Sequence, residues 1–332
     1  MLQQEVKNFK IKKLSEIKHE KLIEFYSKVF RERDKRLINN FQWCYRNGYN
    51  NLEPIVIEIE NQIIGHAGLI PVEFKINGKI NLAIWFTDFV ILPEFRGKGY
   101  GKILTKEWMK LCPFQITFCN NASLRIFKKL GWKENLDFER IVIPINHFKF
   151  IPIIKRFNLN NISKNFKNLF TKKINKQSNF REFSLLEKKI SHLISLDNKK
   201  NINKSVYVVR DENWFEWRLI KCPYKENIHL FEYENDILVA HSIKKDNLKR
   251  LNVVYCTSNS NSEIFKLLQL WCFDNDIDYI WYIQNKKILD KKLDIFSSKK
   301  KINFAFFLNN NSLNQTLQNG IDFQAIDSDI DY

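Results

Sequence analysis

The spacing of apolar residues divides the first 150 residues into alternating types of secondary structure. The sequence FKIKKL at residues 9–14 predicts a strand, and apolar positions three and four residues apart predict helices over 19–30 and through RLINNFQWCYR. The period then becomes two in PIVIEIEN, QIIGHAGLIPVEFKI and KINLAIWFTDFVIL, which predicts three strands. They are joined at Asn61-Gln62 and at Asn77-Gly78, a dipeptide typical of tight hairpins.

The helical period returns after Pro93. One face of this predicted helix carries Tyr100, Ile103, Leu104, Trp108 and Leu111. A short strand, QITFC, a helix, NASLRIFKKL, ended by Gly131, and a last strand around LDFERIVIPI follow. The first half therefore predicts a mixed α/β domain that ends near residue 147.

The second half repeats the first weakly at a shift of 174 positions. Six identities fall within about 23 positions and pair Phe41, Trp43, Glu58, Glu60, Asn61 and Ile63 with Phe215, Trp217, Glu232, Glu234, Asn235 and Ile237. The segments RLNVVYCTS, EIFKLLQLWCFDN and YIWYIQ then continue the order strand, helix, strand. Chance similarity is the alternative in a chain this rich in Asn, Ile and Glu, but the shared order of elements favours duplication.

Composition supports two folded domains. The 332 residues are 44% hydrophobic and include 28 phenylalanines, enough for two cores of ordinary size. The six cysteines show no spacing typical of a metal site or a redox pair, so we expect them to be reduced and mostly buried. No apolar run approaches the 18 to 20 or so residues of a membrane span, and the N-terminus lacks the apolar segment of a signal peptide, so we expect a cytoplasmic protein.

The net charge of +17 is concentrated in one segment. Nine basic residues and no acidic one lie between Lys149 and Arg181. Apolar residues share one helical face there: Ile162, Phe166, Leu169 and Phe170. The segment could be a docked helix with a solvated basic face, or it could lie on an anionic membrane at its inner surface. High pI alone does not predict nucleic-acid binding.

The most specific local pattern is RGKGYG at residues 96–101. It follows a predicted strand and opens a predicted helix, and alternating glycines at 97, 99 and 101 leave backbone N–H groups accessible. Free N–H groups at a helix N-terminus favour an anion. The spacing differs from a Walker A loop, and the position after three meandering strands differs from that of a dinucleotide fingerprint.

Two motifs resemble the GNAT (GCN5-related) N-acetyltransferase superfamily. The first is VILPEFRGKGYGKILTKEWMK, in which Pro93 precedes the R-x-x-G-x-G loop of Arg96, Gly99 and Gly101. The second comprises Asn120, Ser123, Phe127, Gly131 and Trp132. The resemblance covers residues 1 to about 147 and implies a mixed-sheet α/β fold, the GNAT acyl-CoA N-acyltransferase fold. With the repeat, it predicts a GNAT domain at 1–147, a basic linker at 148–182 and a degenerate GNAT-like domain at 183–332.

The resemblance implies acetyl-CoA as cosubstrate and no metal. The loop amides would hold the pyrophosphate, the strand before the loop would pair with the pantetheine arm, and Asn120 would contact that arm or the acceptor. Lys98 and Lys102 either add charge there or are merely solvated. The implied binding residues are Phe89, Val90, Ile91, Arg96, Gly97, Lys98, Gly99, Tyr100, Gly101, Lys102, Asn120, Ser123 and Phe127.

Direct attack of an amine on a thioester requires a base, and the leaving thiolate benefits from a proton donor. Asp88 is the first candidate for the base because it interrupts an apolar run, although it could equally pair with a nearby cation; His66 is the second. Glu58 recurs in the repeat, which favours a structural role. Phe127 occupies the position of the family's tyrosine donor, so the thiolate would leave unassisted or through water, or the protein would bind acetyl-CoA without turnover.

The second half cannot form the same loop, because its only glycine is Gly320. We expect it to complete the acceptor pocket or to pack against the first half. The stretch RDENWFEWRLIKCPY loosely resembles acetyltransferase-like proteins of surface-polysaccharide clusters. The prediction is thus an N-acetyltransferase acting on a primary amine, such as an amino sugar of a surface glycan or its precursor. The alternatives are an aminoacyl- or other acyltransferase of cell-wall type, and a non-catalytic protein that binds CoA or an anionic surface.

Overall fold

The computed structural model of the chain describes residues 8–30, 34–145, 179–184, 190–245, 247–258, 262–285, 298–309, 317 and 321–328. The first half follows the predicted order of elements. These are β1 (Lys10–Lys13), α1 (His19–Val29), α2 (Asp34–Cys44), β2 (Ile55–Ile59), β3 (Gln62–Ile76), β4 (Lys79–Ile91), α3 (Tyr100–Lys110), β5 (Phe114–Cys119), α4 (Asn121–Lys129), β6 (Lys133–Asn135) and β7 (Phe138–Pro144).

The second half contains a similar succession of strands and helices. These are β8 (Arg181–Phe183), α5 (Ile190–Asn201), β9 (Val206–Val208), α6 (Glu212–Phe215), β10 (Ile228–Tyr233), β11 (Asp236–Lys245), β12 (Leu248–Cys256), α7 (Ser262–Asp274), β13 (Tyr279–Asn285), β14 (Ser298–Lys301) and β15 (Asn303–Leu308). A π-helical turn over Glu216–Ile220 extends α6. The mixed α/β fold is as predicted.

Two mixed sheets organise these strands. The first has the order β1-β2-β3-β4-β5-β15-β6, with β9 paired to β3, and the second has the order β14-β7-β13-β12-β11-β10-β8. In each sheet one parallel pair, β4 with β5 or β12 with β13, lies among antiparallel neighbours. The second order, read from β8 to β14, is therefore equivalent to the first, read from β1 to β6. Strand β8 matches β1, β10 matches β2, and β7 matches β15.

The two halves exchange their last strands, which the sequence did not predict. Strand β7 lies in the second sheet between β13 and β14, and β15 takes the equivalent place in the first sheet between β5 and β6. Ile141 and Ile143 of β7 consequently pack in the core of the second sheet, whereas Phe304 and Phe306 of β15 share a core cluster with Ile116 of β5. The expectation that LDFERIVIPI completes the first domain is wrong in this respect.

The division into residues 1–147, 148–182 and 183–332 stays a prediction, because residues 146–178 lie outside those described. The predicted amphipathic face at 162–170 falls in the same range. Within the described residues, no helix is both long and apolar enough to cross a membrane. All six cysteines are free, and five of them are buried.

Contacts between the halves support the predicted repeat. The indole Nε1 of Trp43 donates to the carbonyl of Trp217 at 2.8 Å, and the indole Nε1 of Trp217 donates to the carbonyl of Trp43 at 2.9 Å. These two residues are matched by the 174-residue shift. The reciprocal pair is what a pseudo-twofold axis between duplicated halves would produce.

Candidate functional site

Strands β4 and β5 separate at the end of the first sheet. Their parallel ladder contains the register pairs Ile84 with Gln115 and Trp85 with Ile116, although β4 continues to Ile91 and β5 to Cys119. The hydroxyl of Thr117 donates to the carbonyl of Phe86 at 2.8 Å, just beyond the last register pair. The crevice between the strands therefore exposes backbone of β4 next to the glycine loop.

The glycine loop has the geometry that the sequence predicts. Gly97 and Gly99 have φ values of +76° and +89°, and Gly99 is the N-cap of α3. A β-carbon at either glycine would meet no atom within 4 Å, so both glycines face open space. Arg96 ties the loop to the strand, because its Nε donates to the carbonyl of Ile91 at 2.9 Å.

The loop leaves a run of backbone donors available. Within the described part of the chain, the N–H groups of residues 97–101 donate to no other residue, whereas those of Arg96 and Lys102 do. These donors stand at the N-terminus of an eleven-residue helix, where the helix dipole adds a partial positive charge. Lys98 lies with its Nζ 5.5 Å from the Phe95 ring centroid. The arrangement fits a phosphate-bearing group.

Asp88 lies in a β-bulge at the crevice. Gly68 of β3 is opposite Thr87 and His66 is opposite Val90, so Asp88 and Phe89 together face a single residue of β3. Asp88 has a φ of +47°, a strained conformation for a residue with a side chain. A β-carbon on Gly68 would lie 2.8 Å from the carbonyl oxygen of Thr87, so this bulge requires glycine there.

Tyrosine and histidine side chains support the bulge. Tyr45 donates its hydroxyl to Oδ2 of Asp88 at 3.0 Å, and Asp88 is half-buried. The ring of His66 is fully buried, with Nδ1 2.9 Å from the carbonyl of Asp88 and Nε2 3.3 Å from the hydroxyl of Tyr26. A carbonyl can only accept, so Nδ1 carries the proton and Nε2 accepts from Tyr26. Burial first, and then the charge of Asp88, raise the pKa of Tyr26, so that it remains a proton donor.

These contacts separate the two predicted bases. His66 has both ring nitrogens engaged and no exposed surface, so it is placed to hold the bulge. Asp88 keeps an exposed portion beside the crevice. Tyr45 and Tyr26 were not predicted, because each contacts a residue about 40 positions away in the sequence.

Asn120 and Phe127 occupy the other wall of the crevice. Asn120 follows β5 and caps α4, because its Oδ1 accepts from the N–H of Ser123 at 2.9 Å. Phe127 is 5% exposed and packs against Phe86 and Trp132, with ring centroids 5.5 and 4.5 Å away. Asn120 is thus available at the surface, while Phe127 closes the crevice floor.

Among the described residues, no three His, Cys, Asp or Glu side chains cluster as metal ligands would. Cys119, at the end of β5, is a poor nucleophile. Burial, reinforced by the charge of Glu134, raises the pKa of its thiol to about 12.

Comparison with known proteins agrees with this geometry. Residues 15–132 match the model of the acetyltransferase (GNAT) family. No curated protein sequence matches the chain. A GCN5-related N-acetyltransferase from Kribbella flavida superposes with a TM-score of 0.59 and 11% identity over 90% of this chain and 71% of its own.

Two further solved structures show the same fold. A GCN5-related N-acetyltransferase from Anabaena variabilis has a TM-score of 0.57 and 13% identity, and the alignment covers 90% of this chain and 72% of that one. Saccharomyces cerevisiae N-myristoyltransferase with bound myristoyl-CoA has a TM-score of 0.60 and 13% identity, covering 91% of this chain and 79% of that one. The family match contains the glycine loop, the bulge and Asn120, and so residues 15–132 form a domain of the acetyltransferase (GNAT) family.

Proposed function

We propose that this acyltransferase moves an acetyl group from acetyl-CoA to a primary amine, and that the acceptor is an amino sugar of a surface glycan or its precursor. The observation that supports the proposal most directly is that two features lie together at the end of β4. The N–H groups of residues 97–101 donate to no other described residue and can bind an anion, and the bulge holds Asp88 beside the same crevice.

The donor side fits an acyl-CoA. The pyrophosphate of CoA would accept from the loop amides, and the pantetheine arm would enter the crevice where β4 has no ladder to β5. Phe89 is 39% exposed and belongs to the bulge, so this part of β4 is open to contact by such an arm. The amide of Asn120 faces the arm from the end of β5.

A short acyl group suits the crevice better than a long one. Four aromatic rings, those of Phe86, Trp108, Phe127 and Trp132, pack against one another on the α3 and α4 side of β4. Each is less than 8% exposed. Close packing leaves little room for an acyl chain beyond an acetyl methyl group, which supports acetyl as the transferred group.

The residues of the bulge would perform the acid–base step. Asp88 would take one proton from the acceptor ammonium, and Tyr45, donating to Oδ2, would hold the carboxylate in place. The amine nitrogen then bonds to the thioester carbon and the carbon–sulfur bond breaks. The nitrogen gives its second proton to water. The thiolate leaves with the electron pair of the broken bond and takes a proton from water, because Phe127 has none to give.

The amino-sugar acceptor rests on the sequence resemblance of RDENWFEWRLIKCPY. In the structure this stretch forms α6 and the π-helical turn, and Trp214 and Trp217 within it are 1% and 7% exposed. It therefore acts as a structural element between the halves, and the acceptor must be established by experiment.

The test is thiol release from acetyl-CoA by the full chain with a panel of glucosamine, galactosamine, polyamines and peptides. We expect release with at least one amino sugar and none without an amine. Release with polyamines or peptides alone would overturn the acceptor class while leaving acyl transfer intact. Acetyl-CoA binding by calorimetry without release for any amine would favour the non-catalytic alternative.

A further inference from the structure

Three polar side chains form a hydrogen-bonded chain on the second sheet. Glu182 lies on β8, His229 on β10 and Ser242 on β11. Oε1 of Glu182 is 2.7 Å from Nδ1 of His229, and Nε2 of His229 is 3.1 Å from Oγ of Ser242. The order carboxylate, imidazole, hydroxyl is the one in which a histidine activates a serine as a nucleophile.

The hydrogen bonds determine which nitrogen of the imidazole carries the proton. A carboxylate can only accept, so Nδ1 of His229 donates to Glu182, and Nε2 of the neutral ring has a lone pair. The hydroxyl of Ser242 therefore donates to Nε2. Its other acceptor, the carbonyl of Asn227, is farther away at 3.4 Å. His229 is thus placed to take the hydroxyl proton when Ser242 attacks an electrophile.

Aromatic side chains hold the imidazole and the carboxylate in this arrangement. The indole Nε1 of Trp271, on α7, donates to Oε2 of Glu182 at 3.2 Å, so both carboxylate oxygens are engaged. The rings of Trp271 and Phe231 pack near the imidazole of His229, with centroids 5.1 and 6.3 Å away. The base is therefore oriented by its neighbours, as the activation of a serine requires.

The first half has apolar residues at the equivalent positions. The strand registers match Glu182 to Ile11, His229 to Ile55 and Ser242 to Leu69. In the first half these positions contribute to one apolar cluster that also contains residues of α3. The fold therefore does not need polar groups here, and their presence in the second half favours a chemical role over a packing role.

A substrate can reach these side chains from solvent. The side chains of His229 and Glu182 are 21% and 41% exposed, and Ser242 is half-buried. Lys244 is exposed and shares the face of Ser242, two positions further along β11. Its ammonium can approach an oxyanion that forms at Ser242. Half-buried Trp271 offers an apolar surface beside the same residues, which suits an uncharged substrate with an apolar group.

We propose that Ser242, His229 and Glu182 form a second acyl-transfer site, which hydrolyses carboxylic esters that carry an apolar acyl or alcohol group. Oγ of Ser242 bonds to the acyl carbon, and its proton passes to Nε2 of His229. The carbon–oxygen bond of the ester then breaks, and the alcohol leaves with the electron pair of that bond and the proton from Nε2. Glu182 stabilises the imidazolium that forms between these two transfers.

Water completes the reaction by the same route. Its oxygen bonds to the acyl carbon of the acyl-serine, and one of its protons passes to Nε2 of His229. The bond between the acyl carbon and Oγ breaks, and Oγ takes the electron pair and the proton from Nε2, so a carboxylic acid is released and Ser242 is restored. This reaction needs no acetyl-CoA and does not rest on the proposed function.

The experiment is labelling of the full chain with a fluorophosphonate, which bonds to an activated serine oxygen through phosphorus and releases fluoride. We expect label on Ser242, located by mass spectrometry of tryptic peptides, and none at that position in Ser242→Ala. His229→Gln should slow the labelling by about 100-fold, because it removes the base. Ser195→Ala is the matched control, because it makes the same change at an exposed serine of α5 and should label like the wild type.

Hydrolysis of p-nitrophenyl acetate by the same proteins measures turnover. We expect the wild type and Ser195→Ala to release p-nitrophenol repeatedly, and Ser242→Ala and His229→Gln to lose this activity while circular dichroism shows an intact fold. If Ser242→Ala does not fold, the comparison of His229→Gln with the wild type decides. Absence of label from Ser242, labelling at equal rates in the wild type and His229→Gln, or p-nitrophenol release that Ser242→Ala leaves unchanged would overturn the proposal.

Discussion

Gly99→Val should abolish the binding of acetyl-CoA while leaving the fold intact. Gly99 has a φ of +89° and caps α3, and a side chain there would point into the open space that the anion must enter. A left-handed conformation costs a residue with a β-carbon about 1–2 kcal/mol, so the loop would also tend to rearrange. Both effects remove hydrogen bonds from the same anion.

The magnitude follows from the loop donors. Hydrogen bonds to a charged group contribute about 1.5–3 kcal/mol each. Loss of two of the five available at residues 97–101 would weaken binding by about 3–6 kcal/mol, or roughly two to four orders of magnitude in Kd. Isothermal titration calorimetry with acetyl-CoA measures this directly.

Gly78→Val provides a matched control. Gly78 has a φ of +82° in the hairpin between β3 and β4, and a β-carbon there also meets nothing within 4 Å. The two variants should therefore lose similar thermal stability, and only Gly99→Val should lose affinity. Equal affinity in both variants would refute the assignment of the loop as the phosphate site.

Three further predictions concern the bulge, a buried ion pair and the contact between halves. Asp88→Asn keeps a residue that tolerates positive φ, and it should lower kcat by about 10²–10⁴ without changing the calorimetric Kd for acetyl-CoA; an unchanged kcat would exclude Asp88 as the base. Burial raises the pKa of Glu58, but the ammonium groups of Lys12 and Lys21 outweigh burial and lower the pKa overall. The ionised Glu58 therefore stabilises the fold above the unfolded-state pKa of about 4.3, and this stabilisation is lost as pH falls through the folded-state pKa. Glu58→Gln should consequently lower the free energy of unfolding in urea by about 1–2 kcal/mol at pH 7 and by progressively less as pH falls below about 4.3, and a loss independent of pH would contradict the ion pair. Substituting Phe for either tryptophan of the reciprocal pair, Trp43 or its repeat partner, should cost a similar amount, about 1 kcal/mol, in thermal unfolding, whereas unequal losses would argue against equivalent contacts.

Local features of the first half could be predicted from the sequence because neighbours in the chain determine them. The glycine loop needs positive φ at Gly97 and Gly99, and only a glycine-rich stretch before a helix supplies it. The cap of α4 likewise depends on Asn120 and Ser123, three positions apart. The period-two and apolar patterns of β2, β3 and β4 predicted three strands, of which β2 and most of β3 are buried on both faces.

The strand exchange could not be predicted, because an alternating strand has the same pattern in either sheet. Ile141 and Ile143 require only an apolar partner face, and β13 offers one as well as β5 would. The contacts of Tyr45 with Asp88 and of Tyr26 with His66 could not be predicted either. Each contact joins residues about 40 positions apart, and neither tyrosine belongs to a sequence pattern.

In the proposed reaction, acyl-CoA and an amine meet at the crevice between β4 and β5, and the acyl group passes from one to the other. Mass spectrometry of a cell extract incubated with the protein and ¹³C-labelled acetyl-CoA tests it most directly, with Asp88→Asn as the comparison. We expect the wild type to form a labelled N-acetyl product and the variant to form much less of it. Labelled acetyl-CoA recovered intact, with no amine carrying the label although the protein binds acetyl-CoA, would contradict it.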